Sequence, residues 1–324
     1  MKQAAWSLLV LIALGAIGAP WLSPNPPNRR FDELLYAPPT AVHLWQDGVR
    51  APFIHPLRVV SRLERRFEAQ TSERVGLRWF ADGSLVTADA DRGKPLLLLG
   101  ADGYGRDVFA RLLYGARATL AVSLVSALLA TVLGALVGAL AGYVGGWFDA
   151  VLSRVSDFVL VLPAIYVALV LRAVVPLVLP PATVFALLTG IFTILGWPII
   201  ARGVRAIVLV EREREYVMAA RAAGAHDCRV LLRHLVPASA GFLKAQGSLL
   251  VPAFMLAEAT LSYVGLGFPN TVPTWGTMLQ EASNVALLGE VPWSLAPAGG
   301  IFAVVLGVNL LLQSEGTTPV QLEP

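Results

Sequence analysis

Long apolar runs, separated by polar and turn-rich stretches, dominate this chain of 324 residues. A helix needs roughly 20 mostly apolar residues to cross about 30 Å of hydrocarbon. Six stretches approach or exceed that length: residues 4–22, 118–143, 157–179, 183–201, 245–268 and 293–312. The pattern predicts an all-α polytopic membrane protein with six transmembrane helices. In the second run Gly134, Gly138 and Gly142 recur every four residues, a spacing that lets two helix backbones approach closely. Pro163, Pro198 and Pro252 fall inside runs, where neighbouring helices re-satisfy the carbonyls that proline frees.

The interval 23–100 reads differently. His43-Leu44-Trp45 followed by Gln46-Asp47-Gly48, and Leu77-Arg78-Trp79-Phe80 followed by Asp82-Gly83, have the form of hairpins, since Asp-Gly between short aromatic and branched runs favours a tight turn. Between them Val59, Val60, Leu63 and Phe67 fall at helical spacing. Arg62, Arg65 and Arg66 would then lie on the solvated face of that helix. The expectation is a small α+β insertion, with a loosely ordered loop as its alternative.

Composition narrows the class. Hydrophobic residues make up 56% of the chain and charged ones 15%, against about 25% charged in soluble domains. That excludes a soluble enzyme with one large core, and intrinsic disorder as well. With a single cysteine, Cys228, a disulfide scaffold is excluded; Cys228 reads as incidental. A net charge of +3 is too small to argue for nucleic acid.

The placement of charge says more. Eight Lys and Arg lie in 202–244, and the last 80 residues have none. The basic connection therefore faces the cytoplasm, which puts both termini inside and loop 269–292 outside. The fourteen basic residues of 23–117 would lie outside too, as long loops translocate largely regardless of charge. The charged start and Ala16-Ile17-Gly18-Ala19 end of the first run also admit a cleaved signal peptide. Pro20 and the length of the run argue against it.

The basic connection holds the most informative stretch. Glu215 to Gly224 reads as a short helix stopped by glycine, with a second amphipathic helix over 225–233 and Pro237 before the fifth span. Ala219 and Ala223, and Ala220 and Gly224, are each four apart, so one face is nearly bare. Such a face suits docking into a groove on another protein. It equally suits a plain helix former at the membrane surface.

The same spacing resembles the cytoplasmic loop of ABC-importer permeases, which reads Glu-Ala-Ala, three residues, Gly, nine residues, Ile-x-Leu-Pro. Ala219, Ala220, Gly224 and Pro237 match it, while Met218, His234 and Val236 depart from it. The wording from Glu215 and Tyr216 to Gly224 is similar to the dipeptide and oligopeptide branch. So are the Gly-Tyr-Gly-Arg-Asp segment within 99–117, the stretch 258–267 leading into 273–279, and the closing run with Asn309. The insertion and the C-terminal tail depart from the usual pattern of that family.

The resemblance implies the type I ABC importer permease fold. Residues 1–22 would be an N-terminal transmembrane helix and 23–100 a periplasmic insertion. The permease domain would span 101–313, with coupling loop 202–244 and a tail at 314–324. It implies an inner-membrane subunit that pairs with a homologous permease as a heterodimer and contacts membrane lipid. Two cytoplasmic ATPase subunits would bind ATP, and a periplasmic substrate-binding protein would deliver di- or oligopeptides. This chain would carry no cofactor or metal and no catalytic residue. Coupling to the ATPases would fall to Glu215, Tyr216, Ala219, Ala220, Arg221, Ala223 and Gly224.

Among ionisable residues near spans, Asp157 is expected to pair with Arg154 and Arg172 to snorkel toward the interface. Glu258, with Ser262 one turn on, would line the pore or form a helix interface. Nickel complexes and peptide-like antibiotics are alternative substrates. An ion-coupled secondary transporter is the competing mechanism, against which the single midplane Glu and the lack of an evident internal repeat both count. A membrane scaffold or insertion factor without a transport role would not need a bare cytoplasmic helix at this spacing.

Overall fold

The computed structural model describes residues 2–316 except 46–48, 63, 82, 90–92, 177 and 285–287. The turn residues Gln46 to Gly48 and Asp82, and the tail beyond 316, lie outside the described residues. The chain divides into two compact units, Met1–Thr119 with Ser262–Gly307, and Leu120–Leu261 with Val308–Pro324.

The first unit opens with an apolar helix, α1 (Lys2–Ile17), and after Gly18 a short α2 (Ala19–Leu22). Seven strands follow: β1 (Val42–Trp45), β2 (Val49–Ile54), β3 (Leu57–Ser61), β4 (Arg66–Ala69), β5 (Val75–Gly76), β6 (Arg78–Ala81) and β7 (Ser84–Thr87). Both expected hairpins form, as antiparallel pairs β1–β2 and β6–β7. The helix expected between them does not. Leu57 to Ala69 is a third hairpin, β3–β4, with Val59 opposite Phe67. Along β3 half-buried and exposed residues alternate, so the period of two prevails over the period of four. Two adjacent branched residues, Val59 and Val60, favour that outcome. Arg62 and Arg66 are therefore hairpin residues, and Arg65, with φ of 49°, pairs with Glu290 and covers the Tyr36 ring.

Two small cores hold these strands. Phe31, Leu34, Ala37, Leu97 and Ala101 form one, and Ile54, Ala88 and Leu96 the other. Helix α11 (Trp275–Glu281) and a 3-10 turn, Pro292–Leu295, also belong to this unit. Gly100, at φ of 75°, sits where a Cβ would lie 2.9 Å from the Trp293 indole, and that indole donates to the Ala101 carbonyl at 3.0 Å.

The second unit is helical. Its helices are α3 (Val108–Val144), whose first turns belong to the first unit, α4 (Gly146–Val161), α5 (Ala164–Val174), α6 (Pro181–Glu211), the short helices of the basic connection and most of α10 (Ala240–Tyr263). The last helix, Ala296–Gly316, belongs to the first unit up to Gly307 and to the second from Val308 on. Among the described residues, four helices are long and apolar enough to cross a membrane: α3, α6, α10 and the closing segment Pro292–Ser314. The expected straight third span is instead a pair, α4 and α5, bent by 88°. Pro163 explains the break. It drives Leu162 into extended backbone with ψ of 134°, as a residue before proline is driven.

The glycine spacing on α3 acts as expected. A Cβ at Gly134 would lie 2.5 Å from the Trp197 carbonyl oxygen, one at Gly138 2.8 Å from the Ala201 Cα, and one at Gly142 2.9 Å from the Arg205 carbonyl oxygen. The backbones of α3 and α6 thus meet over two turns, at a distance only glycine permits. Phe192 stacks on Phe254 with centroids 5.3 Å apart and joins α10 to α6.

Candidate functional site

The first short helix within the basic connection is α7 (Glu215–Ala222). Three alanines favour the helix, and Glu215 in its first turn and Arg221 in its last complement its dipole. Its end is a complete Schellman closure. The Ala225 N–H donates to the Ala220 carbonyl at 3.0 Å and the Gly224 N–H to the Arg221 carbonyl at 2.9 Å. That closure needs a left-handed residue, and Gly224 supplies it with φ of 82°.

Helix α7 buries one side chain fully. Val217 is fully buried, while Tyr216 and Met218 are about half exposed. Ala219, Ala222, Ala223 and Gly224 are exposed, together with Glu215 and Arg221, and Ala220 is half-buried. The bare face expected from the spacing is thus open to solvent except at Ala220.

Beyond Gly224 the chain forms α8 (Asp227–Val230), a π-helical turn Leu231–Leu235 and α9 (Val236–Ala238). Pro237 has no N–H to donate and crowds the carbonyl four residues back, which the wider π turn accommodates. Val230 and Leu235 are buried and fix this segment.

Three side chains then tie the connection to the last turn of α3. The Arg212 guanidinium donates from Nη1 to the Gly142 carbonyl at 2.9 Å. Arg221 lies 4.9 Å over the Tyr143 ring. The Tyr143 hydroxyl donates to the Asp227 carboxylate. Tyr143 is thereby held from α7 and α8 at once. On the other side the Tyr216 hydroxyl donates to Glu211 at 2.7 Å, at the end of α6, and this bond holds its ionisation above the usual phenol range. Sequence reasoning missed Tyr143, Arg212 and Asp227. The one signal in the sequence is an aromatic closing an apolar run, which ordinarily marks only the membrane interface.

Helix α6 is tied to α4 as well. Both Asp149 carboxylate oxygens accept from Arg205, and Asp157 pairs with Arg202 rather than with the expected Arg154. A cavity of about 210 Å³ lies beside them, lined by Gly138, Ser153, Ser156 and Ala201. Arg172 does not snorkel. It is buried and donates to the Val175 and Pro176 carbonyls just past the end of its own helix. Glu258 and Ser262 are both buried. Among the described residues no three His, Cys, Asp or Glu are placed to hold a metal ion.

In the first unit the segment ahead of α3 forms a charged cluster. Arg106 donates to Asp102 at 2.8 Å and to Glu281 at 2.6 Å, and Arg111 reaches Glu281 at 3.3 Å. Burial raises the Glu281 carboxyl, against the pull of Arg111 and Arg106. Next to it Asp107 caps α3, accepting from the Phe109 N–H at 2.9 Å and the Ala110 N–H at 3.3 Å, while Asn25 donates to its other oxygen at 2.8 Å. Burial pushes the Asp107 carboxyl up to about 6 despite these donors. A raised folded pKa contributes stability that is present below the unfolded value and lost as pH rises through the folded one. The stability of the parent chain relative to Asp107→Asn is therefore expected to fall between about pH 4 and pH 6, by roughly 2–3 kcal/mol. Thermal unfolding in detergent across that range checks it, and a flat difference overturns it.

Residues 130–313 match the family model described as binding-protein-dependent transport system inner membrane component. A protein of Brucella ovis named as a peptide permease is 39% identical over 213 residues, covering 65% of this chain and 68% of that protein. The oligopeptide transport system permease protein OppC of Bacillus subtilis is 35% identical over 233 residues, 72% of this chain and 73% of its own. The dipeptide transport system permease protein DppC of Alkalihalophilus pseudofirmus is 36% identical over 213 residues, 65% and 67% respectively.

Proposed function

Because the chain belongs to the family of binding-protein-dependent transport system inner membrane components, we propose that it is one of two homologous permease subunits of an ATP-driven importer for di- or oligopeptides. The names of its relatives support the substrate class. The observation that carries the mechanism is the tethering of α7. A solvent-exposed, alanine-faced helix is closed rigidly by Gly224 and linked through Arg221, Tyr143 and Asp227 to the end of α3.

In this reading two cytoplasmic ATPase subunits serve the importer, and one of them receives α7. Their closure on ATP displaces α7 and α8, and Tyr143 passes the displacement to α3. The glycine contacts make α3 and α6 move as one body, which biases the pore between two packings. Glu215 and Tyr216 hold the start of α7, while Ala219, Ala220, Ala223 and Gly224 form the docking face. The full burial of Glu258 and Ser262 favours a helix-interface role over pore lining. Six crossings follow if α1 with α2 is one span and the bent α4–α5 pair another. Both termini are then cytoplasmic, and the strands of 42–87 face the periplasm, where a binding protein delivers substrate.

The test is reconstitution with a sister permease, two ATPases and a dipeptide-loaded binding protein. Uptake is expected to require ATP. Uptake that survives ATP depletion but collapses with the ion gradient overturns the proposal. Tyr143→Phe keeps the ring beneath Arg221 and removes only the bond to Asp227. It is expected to lower uptake per ATP hydrolysed by roughly tenfold. An unchanged ratio would remove Tyr143 from the transmission path.

A further inference from the structure

The β6–β7 hairpin carries an exposed apolar group that the transport reading does not use. Phe80 is 81% exposed, Trp79 54% and Leu85 39%. Phe80 also has φ of 53°, a conformation that a bulky side chain adopts only against steric resistance. The hairpin therefore holds its most exposed ring outward under strain, where the unstrained choice would be glycine.

Its position supplies the occupant. The Thr87 hydroxyl donates to the Pro24 carbonyl, just after α2. A cavity of about 360 Å³ is lined by Pro20, Arg78, Ser84, Thr87 and Tyr114, so the hairpin lies where α2 ends and beside the first turns of α3. Tyr114 stands one turn ahead of the long apolar run of α3. Trp21 on α2 is 64% exposed, and Leu11, Leu14 and Ile17 continue the exposed apolar surface along α1. Trp and Tyr gather where such surfaces meet the headgroup layer. Arg29 and Arg78 bring positive charge to the same cavity wall or rim, suited to lipid phosphates.

We propose that the β6–β7 hairpin is a membrane-surface anchor, with Trp79 and Phe80 seated in the lipid interface beside Trp21. It rests on the reading of α1 as a span, and it makes the strand-rich insertion a layer lying on the bilayer rather than a free domain. Its attachment at the end of α2, next to a helix whose Leu11, Leu14 and Ile17 are exposed, favours lipid over a soluble protein as the occupant.

The test uses the full chain with Cys228→Ser, in vesicles of phosphatidylethanolamine and phosphatidylglycerol. Leu85→Cys, Glu68→Cys on β4 and Leu11→Cys on α1 each carry an environment-sensitive fluorophore. Nitroxide lipid is expected to quench the Leu85 label about threefold more than aqueous iodide does, with Leu11 behaving alike and Glu68 the reverse. In Trp79→Ser with Phe80→Gly, glycine tolerates the positive φ, so the hairpin stays folded. The Leu85 label should then turn iodide-accessible while Leu11 is unchanged. A Leu85 label as open to iodide as Glu68, with Leu11 still lipid-quenched, overturns the anchor alone. Loss of lipid quenching at Leu11 too overturns the span and the anchor together. Protection of Leu85 that appears only on adding the soluble binding protein would assign the hairpin to a protein contact and overturn the proposal.

Discussion

Ala219→Arg is expected to abolish ATP-dependent uptake while leaving the chain folded in the membrane. Ala219 is exposed, so the longer side chain extends into solvent. Arg also ranks close to Ala as a helix former, so α7 persists. On the proposed docking of α7, a guanidinium would be carried into a groove shaped for a methyl group, and the damage is expected there alone. An unpaired buried charge costs about 3–5 kcal/mol, roughly a 10²- to 10⁴-fold loss of association. Ala219→Ser, which adds little bulk and no charge, should retain most activity. Gly224→Asp should fail by a different route, since an L side chain at φ of 82° strains the closure that ends α7. Copurification of the ATPase subunits and uptake into vesicles are the two readouts. If Ala219→Arg keeps both within about twofold of the parent, the alanine face is not the docking surface.

The parts of this site that were legible in the sequence are local. Gly224 was readable because a helix that stops needs a residue free to turn left-handed. The glycines of α3 were readable because their spacing matches the helix repeat. The β1–β2 and β6–β7 hairpins were readable from Asp-Gly turns. What failed depends on partners distant in the chain. Tyr143 acquires its partner only when the chain brings Asp227 to it across 84 positions. Asp157 had a plausible neighbour in Arg154, yet a residue on another helix, Arg202, takes it. The Leu57 to Ala69 segment fits both periods, and pairing with a partner strand decided between them. Pro163 is harmless in a straight span only if neighbouring groups take up the freed carbonyl. Here the chain bends by 88° instead.

Gly138→Leu is expected to prevent stable folding of the helical unit. A Cβ at this position meets the backbone of Ala201, with the Cα at 2.8 Å and the carbonyl oxygen nearer still. Backbone cannot turn aside as a flexible side chain can, so α3 and α6 must separate. Separation also loosens the contacts of Gly134 with Trp197 and of Gly142 with Arg205, since the three glycines share one face. Overpacking one well-packed site costs about 1–3 kcal/mol, occasionally more. Three linked contacts failing together are a large part of a total stability of about 5–15 kcal/mol. Gly138→Ala should show the same direction at smaller size. Gly190 is the internal control: it lies within α6, and a Cβ there would meet nothing within 4 Å. Gly190→Ala should be neutral or raise stability by up to about 1 kcal/mol, from helix propensity alone. Thermal unfolding and yield of monodisperse protein in detergent rank the set. Equal stability of Gly138→Leu and Gly190→Ala would mean that α3 and α6 do not meet through this face.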